Sequence, residues 1–294
     1  MKTDSIEKSH PLSVVVIVSP DISDIYFANQ LIKRVNVKAV FVEGQDADDG
    51  AATARLRRGL KYIAEPHRIA DRIKEELYGK KLRQKAESIL LAGFGEEGLE
   101  IDTRGRPVKV VYTKGVNAIN DYEYVKAIEE TAPDVIALCG ASIIKKPIIS
   151  IPAKGALNLH GGLAQWYRGV WTTLWAIYNE EPEYVGATVH YVSEGIDDGN
   201  IIYQGRPDIT SGDNHESLYV KVVKLGVELM VKAIEDIEEG NVKSRPLEKK
   251  GALYLKNRVT AEVIRDTWRK VEKGVIESYL INKKQRDKKV KLAI

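Results

Sequence analysis

From Leu12 to Pro20 the chain reads LSVVVIVSP, an unbroken and largely β-branched run with no polar alternation. A strand without a polar face has no side turned to water, which suits a parallel sheet covered on both faces. Parallel partners need a crossover, and the sequence supplies one. Helical spacing from about Asp24 to Val35 puts Ile25, Ala28, Leu31 and Ile32 on one face, and VKAVFVEG from Val37 to Gly44 reads as a second strand. The rhythm returns with a strand near Val108 to Thr113, a helix near Asp121 to Thr131, and strands from Asp134 to Gly140 and Gly155 to His160. The expected fold is α/β, a Rossmann-like doubly wound, mostly parallel sheet.

Between about residues 50 and 98 the rhythm breaks into apolar and charged residues at helical spacing, with Ile69, Ile73 and Leu77 as one apolar stripe. This predicts a helical insertion. Its cationic start, Arg55, Arg57, Arg58 and Lys61, reads as a solvated helix face rather than a contact for an anionic substrate. A long amphipathic helix is expected from about Asp213 to Glu239, burying Leu218, Val222, Leu225, Leu229, Ala233 and Ile237 and stopping at Gly240. Residues 1–240 then form one domain, and 241–294 a C-terminal extension, expected as helix with a frayed basic end.

Two stretches carry the chemistry, NLHGGLAQWYRG from Asn158 to Gly169 and GATVHYVSEGIDDGNIIYQG from Gly186 to Gly205. Asn158 and His160 alternate along one strand and so share a face, while Asp197 falls in a turn between two strand-like runs. An amide, an imidazole and a carboxylate at the ends of neighbouring strands are the parts needed to move an acyl group. Attack of an amine on an acyl carbon puts negative charge on oxygen, which prepositioned donors must meet. Asn158 offers an NH2 group and a protonated His160 a charged donor. Asp197 can take the amine's proton directly or through water, and its charge favours the imidazolium. Each residue also has a plainer reading, Asn as a strand-end cap and His as structural, and only the ordered set outweighs it. His190 reads as a core histidine that orients its neighbours, and Asp198 as a turn former. Trp166, Trp171 and Trp175 could stack on a ligand ring, with Trp175 better suited to the core.

In this order the residues resemble the enzymes that transfer the formyl group of 10-formyltetrahydrofolate to an amine. The family pattern is Asn, any residue, His; then Tyr-Arg-Gly; then Gly with Thr or Val and His; then an Asp-Gly turn. Here it reads Asn158-Leu159-His160, Tyr167-Arg168-Gly169, Gly186-Ala187-Thr188-Val189-His190 and Ile196-Asp197-Asp198-Gly199. Pro133 to Ile149 also looks like the family's strand and the loop that clasps the pterin ring. The resemblance covers about Leu12 to Gly240 apart from the insertion. It implies catalytic roles for Asn158, His160 and Asp197. It further implies folate contacts at Cys139, Gly140, Ser142, Ile143, Ile144, Pro147, Ser193 and Gly195, and acceptor contacts at Gly161, Trp166, Tyr167 and Arg168. The implied co-substrate is 10-formyltetrahydrofolate.

The acceptor is where the chain departs from better-known branches. The branch acting on glycinamide ribonucleotide has a Gly- and Ser-rich phosphate loop after the first strand, whereas SPDISD at Ser19 to Asp24 is acidic. The initiator-tRNA branch carries a β-barrel for which the residues after Gly240 are too few, although its basic insertion has a counterpart here. Leu159-His160-Gly161 is similar to members acting on nucleotide-linked amino sugars. The expected acceptor is a small amine, with an amino sugar as the favoured example. A hydrolase releasing formate from the same folate, and an RNA-binding protein related to the tRNA branch, stand as alternatives.

Other classes fit poorly. The histidines form no pair at the i, i+4 spacing of a helical zinc site, and neither a GxSxG nor a P-loop pattern occurs. The first turn lacks the Gly-rich fingerprint of dinucleotide binding. A lone cysteine, Cys139, allows no internal disulfide or thiolate cluster and reads as a small buried apolar residue. The net charge of +3 arises from nearly balanced signs and carries no global affinity for nucleic acid. No long apolar run or signal peptide is evident, so a cytoplasmic protein without a membrane partner is expected, with a homodimer left open.

Overall fold

The computed structural model describes residues 11–44 and 69–293, with side chains from residue 77 onward in the helix that opens at Ile69. The cationic residues expected at Arg55, Arg57, Arg58 and Lys61 lie outside the described residues, as do His10 and His67. In chain order come β1 (Val14–Val18), α1 (Ile22–Arg34), β2 (Val37–Val42), α2 (Ile69–Phe94) and β3 (Lys109–Tyr112). Then follow α3 (Tyr122–Glu129), β4 (Val135–Cys139), α4 (Lys146–Ile149), β5 (Ala156–His160), β6 (Tyr167–Gly169) and α5 (Thr172–Tyr178). The remainder is β7 (Ala187–Tyr191), β8 (Ile201–Gly205), α6 (His215–Glu238), β9 (Ala252–Tyr254), α7 (Ala261–Glu272), α8 (Val275–Ile281) and α9 (Lys283–Asp287).

The main sheet has the order β3-β2-β1-β4-β5-β7-β8. Its first five strands are parallel; β7 runs antiparallel to β5, and β8 antiparallel to β7. Every residue of β1 is fully buried, as its unbroken apolar run requires. Val14, Val16 and Val18 join a core with Leu31 of α1 and Val222 and Met230 of α6. Val15 and Ile17 join the opposite core with Tyr124 and Ile128 of α3 and Ile148 of α4. Each such side chain contributes about 1.5–3 kcal/mol through removal from water, so β1 is the axis of both layers.

Helix α6 begins at a capping box: Asn214 accepts from the amides of Glu216 and Ser217, and Ser217 Oγ accepts from the Asn214 amide at 3.0 Å. It ends before Gly240, whose φ of 70° lies in the left-handed region. Of its expected stripe, Leu218, Val222, Ala233 and Ile237 are buried, while Leu225 and Leu229 are half-buried. Of the stripe expected on α2, Leu77 is 63% exposed, which corrects that part of the reading, and the side chains of Ile69 and Ile73 lie outside the described residues. The helix packs on its neighbours from the buried Leu82 to Phe94, which meets Val220 and Val223 of α6, so Leu77 lies short of the layer. Among the described residues no helix is long and apolar enough to cross a membrane.

The segment after Gly240 is more than helix. Arg245 bridges to Ile201 at the edge of β8, and β9 pairs in parallel with β6 to make a second, two-stranded sheet. Trp268 of α7 and Ile276 and Tyr279 of α8 are fully buried.

The contact between α6 and β5 is set by Gly226, where an added Cβ would lie 2.3 Å from Leu159 Cδ1 and 3.0 Å from its Cγ. In an exposed helix Gly→Ala gains about 1 kcal/mol. Here overpacking reverses the sign, and Gly226→Ala should destabilise by about 1–3 kcal/mol in denaturant titration.

Candidate active site

The C-terminal ends of β1, β4 and β5 open into a cavity of about 1470 Å³. Strand order reverses between β1 and β4, the place where open α/β sheets leave a crevice for ligands. On its wall, the antiparallel register of β5 and β7 sets Asn158 directly opposite His190. The turn from β7 to β8 carries Asp197 at φ 47°, a left-handed conformation that Asp tolerates better than most residues. Sheet register and turn together bring four polar groups to one point.

Asp197 is the hub. Its Oδ2 lies 3.3 Å from His160 Nδ1 and accepts from the Gly169 amide at 2.8 Å. Its Oδ1 accepts from Asn158 Nδ2 at 3.3 Å and lies 3.6 Å from His190 Nε2. The side chain is 11% exposed. Burial alone would push the carboxyl up, but the His160 and His190 rings and the Gly169 N–H outweigh it and hold Asp197 well below the usual carboxylate range.

Each imidazole is fixed by its second nitrogen. His190 Nδ1 lies 2.8 Å from the Tyr191 carbonyl oxygen, and its Nε2 lies 3.2 Å from Asn158 Nδ2. His160 Nε2 lies 2.8 Å from the Tyr167 carbonyl oxygen while Nδ1 faces Asp197, so both ring nitrogens meet acceptors. The cluster thus joins a buried carboxylate, an imidazole engaged at both nitrogens, and an amide whose 3.3 Å bond to Asp197 is long enough to be exchanged for a ligand oxygen.

The structure brings Asn158, His160 and Asp197 together, and it adds His190 in direct contact. Cys139, Gly140, Ser142, Ile143, Ile144, Ser193 and Gly195 all line the cavity. The amide and hydroxyl of Ser142 both donate to Glu43 at 2.5 Å, which fixes the loop after β4. Pro147 is not on the wall; it lies in the first turn of α4. Cys139 is buried as expected, and burial together with the nearby Asp24 charge raises its thiol well above the ordinary value.

Of the expected acceptor contacts, Gly161 lines the cavity and the next three do not. Trp166 is stacked on Tyr184, with ring centroids 4.7 Å apart. Tyr167 is 3% exposed, with its hydroxyl held by Glu181 and Asn179. Arg168 is spent on two backbone carbonyls, those of Gly251 and Ile196. These side chains are taken up by the segment from Asn179 to Tyr184 and by the chain at Gly251 to Tyr254. Trp175 stacks on Tyr254 in the core, whereas Trp171 is 51% exposed on the cavity wall.

Sequence reasoning missed the Gly169 amide, Glu43, Tyr219 and the contribution of Tyr254, Leu255 and Lys256 to the wall. For Asp24 there was a signal, the acidic SPDISD. Its carboxylate is 3% exposed and accepts from Ser19 Oγ at 2.6 Å, Ser23 Oγ at 2.9 Å and the Cys139 thiol at 3.5 Å. Burial pushes its pKa up to about 6, against the Ser19 and Ser23 bonds and with help from the charge of Asp21.

Residues 14–234 match the family model described as formyl transferase. The chain is 34% identical over 139 residues to a methionyl-tRNA formyltransferase of Methylacidiphilum infernorum, a match spanning 47% of this chain and 43% of that protein. Against the methionyl-tRNA formyltransferase of Bacteroides fragilis it is 30% identical over 162 residues, 54% of this chain and 50% of the other. The chain therefore spans about half the length of the curated relatives it matches. Among solved structures, a 4-N formyltransferase from Francisella tularensis aligns over 87% of each chain with a TM-score of 0.51 and 18% identity. Glycinamide ribonucleotide transformylase 1 from Symbiobacterium toebii aligns over 84% of this chain and 99% of its own, with a TM-score of 0.52 and 17% identity. At that identity the likeness is one of fold.

The raised carboxyl of Asp24 has a thermodynamic consequence. Between the ordinary value of 3.8 and about 6 the folded state holds a proton that the unfolded state has lost, so this group's contribution to stability falls as pH rises through that window. Asp24→Asn removes the effect. Thermal unfolding from pH 4 to 7.5 should show the variant gaining on the parent as pH rises, with the difference levelling off above about 6; a constant difference would contradict it.

Proposed function

The chain belongs to the formyl transferase family, and on that premise we propose that it transfers a formyl group from 10-formyltetrahydrofolate to the amine of a small acceptor, a nucleotide-linked amino sugar being the favoured example. The observation that carries this reading is the Asp197 carboxylate held among His160, Asn158 and the Gly169 amide at a cavity of about 1470 Å³. That volume exceeds the roughly 300–1,000 Å³ typical of a site for one small molecule and suits two substrates side by side. The loop from Gly140 to Ile144 and the Ser193–Gly195 stretch are assigned to the folate.

In the reaction one C–N bond forms to the acceptor amine, one C–N bond to the folate breaks, and one proton passes from the amine to the departing folate nitrogen. The oxygen that gains charge on the way is assigned to Asn158, whose Nδ2 hydrogen turns from Asp197 to meet it. Both nitrogens of His160 are already engaged, so its share is a charge at close range rather than a new hydrogen bond. A carboxylate held as low as Asp197 is a weak base. It serves first as the fixed negative charge that orients the His160 ring and the Asn158 amide, and only in passing as a station for the amine's proton.

Two features bear on the acceptor. Asp21 and Asp24 make the wall beyond β1 acidic, which opposes a phosphate there, while Lys256 offers a cation on another part of the wall. An acceptor with an anionic group should therefore place it towards Lys256. A second reading, methionyl-tRNA as acceptor, is favoured by the relatives found at 30–34% identity.

The test is incubation with 10-formyltetrahydrofolate and a panel of amines that includes amino-sugar nucleotides, glycinamide ribonucleotide and charged initiator tRNA, with products read by mass spectrometry. A formylated amino sugar is the expected product. Formate released without an acceptor would establish the hydrolase instead, and a formylated tRNA the second reading. In the productive assay Asn158→Ala should lower kcat about 100- to 1000-fold.

A further inference from the structure

The turn that carries Asp197 is gripped from outside the catalytic cluster. Its main-chain carbonyl at Ile196 accepts from Arg168 Nη1 at 3.0 Å, and the Nε of the same guanidinium donates to the Gly251 carbonyl at 3.1 Å. On the other flank Lys250 Nζ lies 2.7 Å from Asp198 Oδ2, and the second Asp198 oxygen accepts from Ser193 Oγ. Burial would raise the Asp198 carboxyl, but Lys250, Ser193 and Arg168 hold it below its ordinary value. Lys250 thus reaches one side of the turn directly, from a point 52 residues further along the chain, and Gly251 reaches the other through Arg168.

The same segment fixes the donor on Asp197 itself. Gly169 ends β6, whose strand partner among the described residues is β9, with Gly169 opposite Tyr254. The next amide, Val170, donates to the Tyr254 carbonyl at 2.9 Å. The approach is so close that a Cβ on Gly169 would lie 2.1 Å from that oxygen, and its φ of 89° also calls for glycine. From there the Gly169 amide reaches Asp197. Among the described residues, the polar contacts that reach Ile196 to Asp198 from outside the turn, beyond those of Asn158, His160 and His190, come from Arg168, Gly169 and Lys250.

We propose that Arg168 and Lys250 are positioning residues, and that the segment from Lys250 to Tyr254 is a clasp that sets the Asp197 carboxylate against His160 and Asn158. Neither side chain touches the cavity, so they act through the turn. The inference rests on the catalytic reading of Asp197 for its effect on rate, and on geometry alone for its effect on the turn. The Lys250 end of its pair with Asp198 is 55% exposed, so the pair adds little to global stability and its loss should be felt locally.

The test compares the full chain with Lys250→Met, Arg168→Met and the conservative Lys250→Arg. Two quantities are read: amide hydrogen exchange at Gly169 against Val16 and Leu138 of the central strands, and kcat and KM for formyl transfer. Both methionine variants should speed exchange at Gly169 at least about tenfold while Val16 and Leu138 stay protected. They should lower kcat about 10- to 100-fold with little change in KM for the folate, since a displacement near 1 Å costs rates of that order. Lys250→Arg should restore both. Gly169 exchange that is unchanged, or that rises only in step with the central strands, overturns the clasp. If the parent formylates no amine, the functional reading falls, and Gly169 exchange alone decides the clasp.

Discussion

Taking an ionised carboxylate out of water costs several kcal/mol unless its surroundings return the lost hydration. Asp197 is such a group, and the surrounding architecture answers that cost. Two imidazoles, one amide side chain and one main-chain amide converge on its two oxygens. None of these partners is its sequence neighbour; β5 brings Asn158 and His160, β7 brings His190, and β6 brings Gly169. The parallel sheet, the antiparallel pair at its edge and the small second sheet each contribute one side of the box. Removing any of them would leave a buried charge short of partners.

The antiparallel edge supplies two of the groups at the site. Pairing β7 against β5 in opposite sense sets His190 across from Asn158 and carries the chain towards the start of β5, where Val192 donates to the Ala156 carbonyl; the turn that follows brings Asp197 back to Asn158 and His160. The cavity then lies between this turn and the loops after β1 and β4, with an acidic wall on the β1 side and Lys256 contributed by the C-terminal segment.

Much of this was legible in the sequence, for reasons that can be named. The strands β1 and β4 are continuous apolar runs, β2 is one broken only by Lys38, and α1 and α6 carry clear stripes, so local periodicity sufficed for them. Asn158, His160 and Asp197 were legible as an ordered set. Trp166, Tyr167 and Arg168 were not, because a motif tells which residues are near a site but not which way a three-residue strand turns its side chains. Their direction depends on β9, and the bond from Arg168 to Gly251 spans 83 residues with no local signal at either end. Leu77 was misjudged for a related reason: an apolar stripe shows that a helix can bury a face, not how far its partner layer extends. The acidic SPDISD did stand out, but only the fold could say that Asp24 would be buried under three hydrogen bonds.

Trp171 sits at φ 58° on the cavity wall with half of its surface open, while Trp175 and Trp268 are buried and Trp166 is covered by Tyr184. These are all the tryptophans of the chain. The polarity around one indole out of four therefore changes when the cavity fills, which makes the intrinsic emission of the unlabelled protein an optical gauge of occupancy. Its red, water-exposed component belongs to the site, and the blue component from the buried rings serves as an internal reference within the same spectrum.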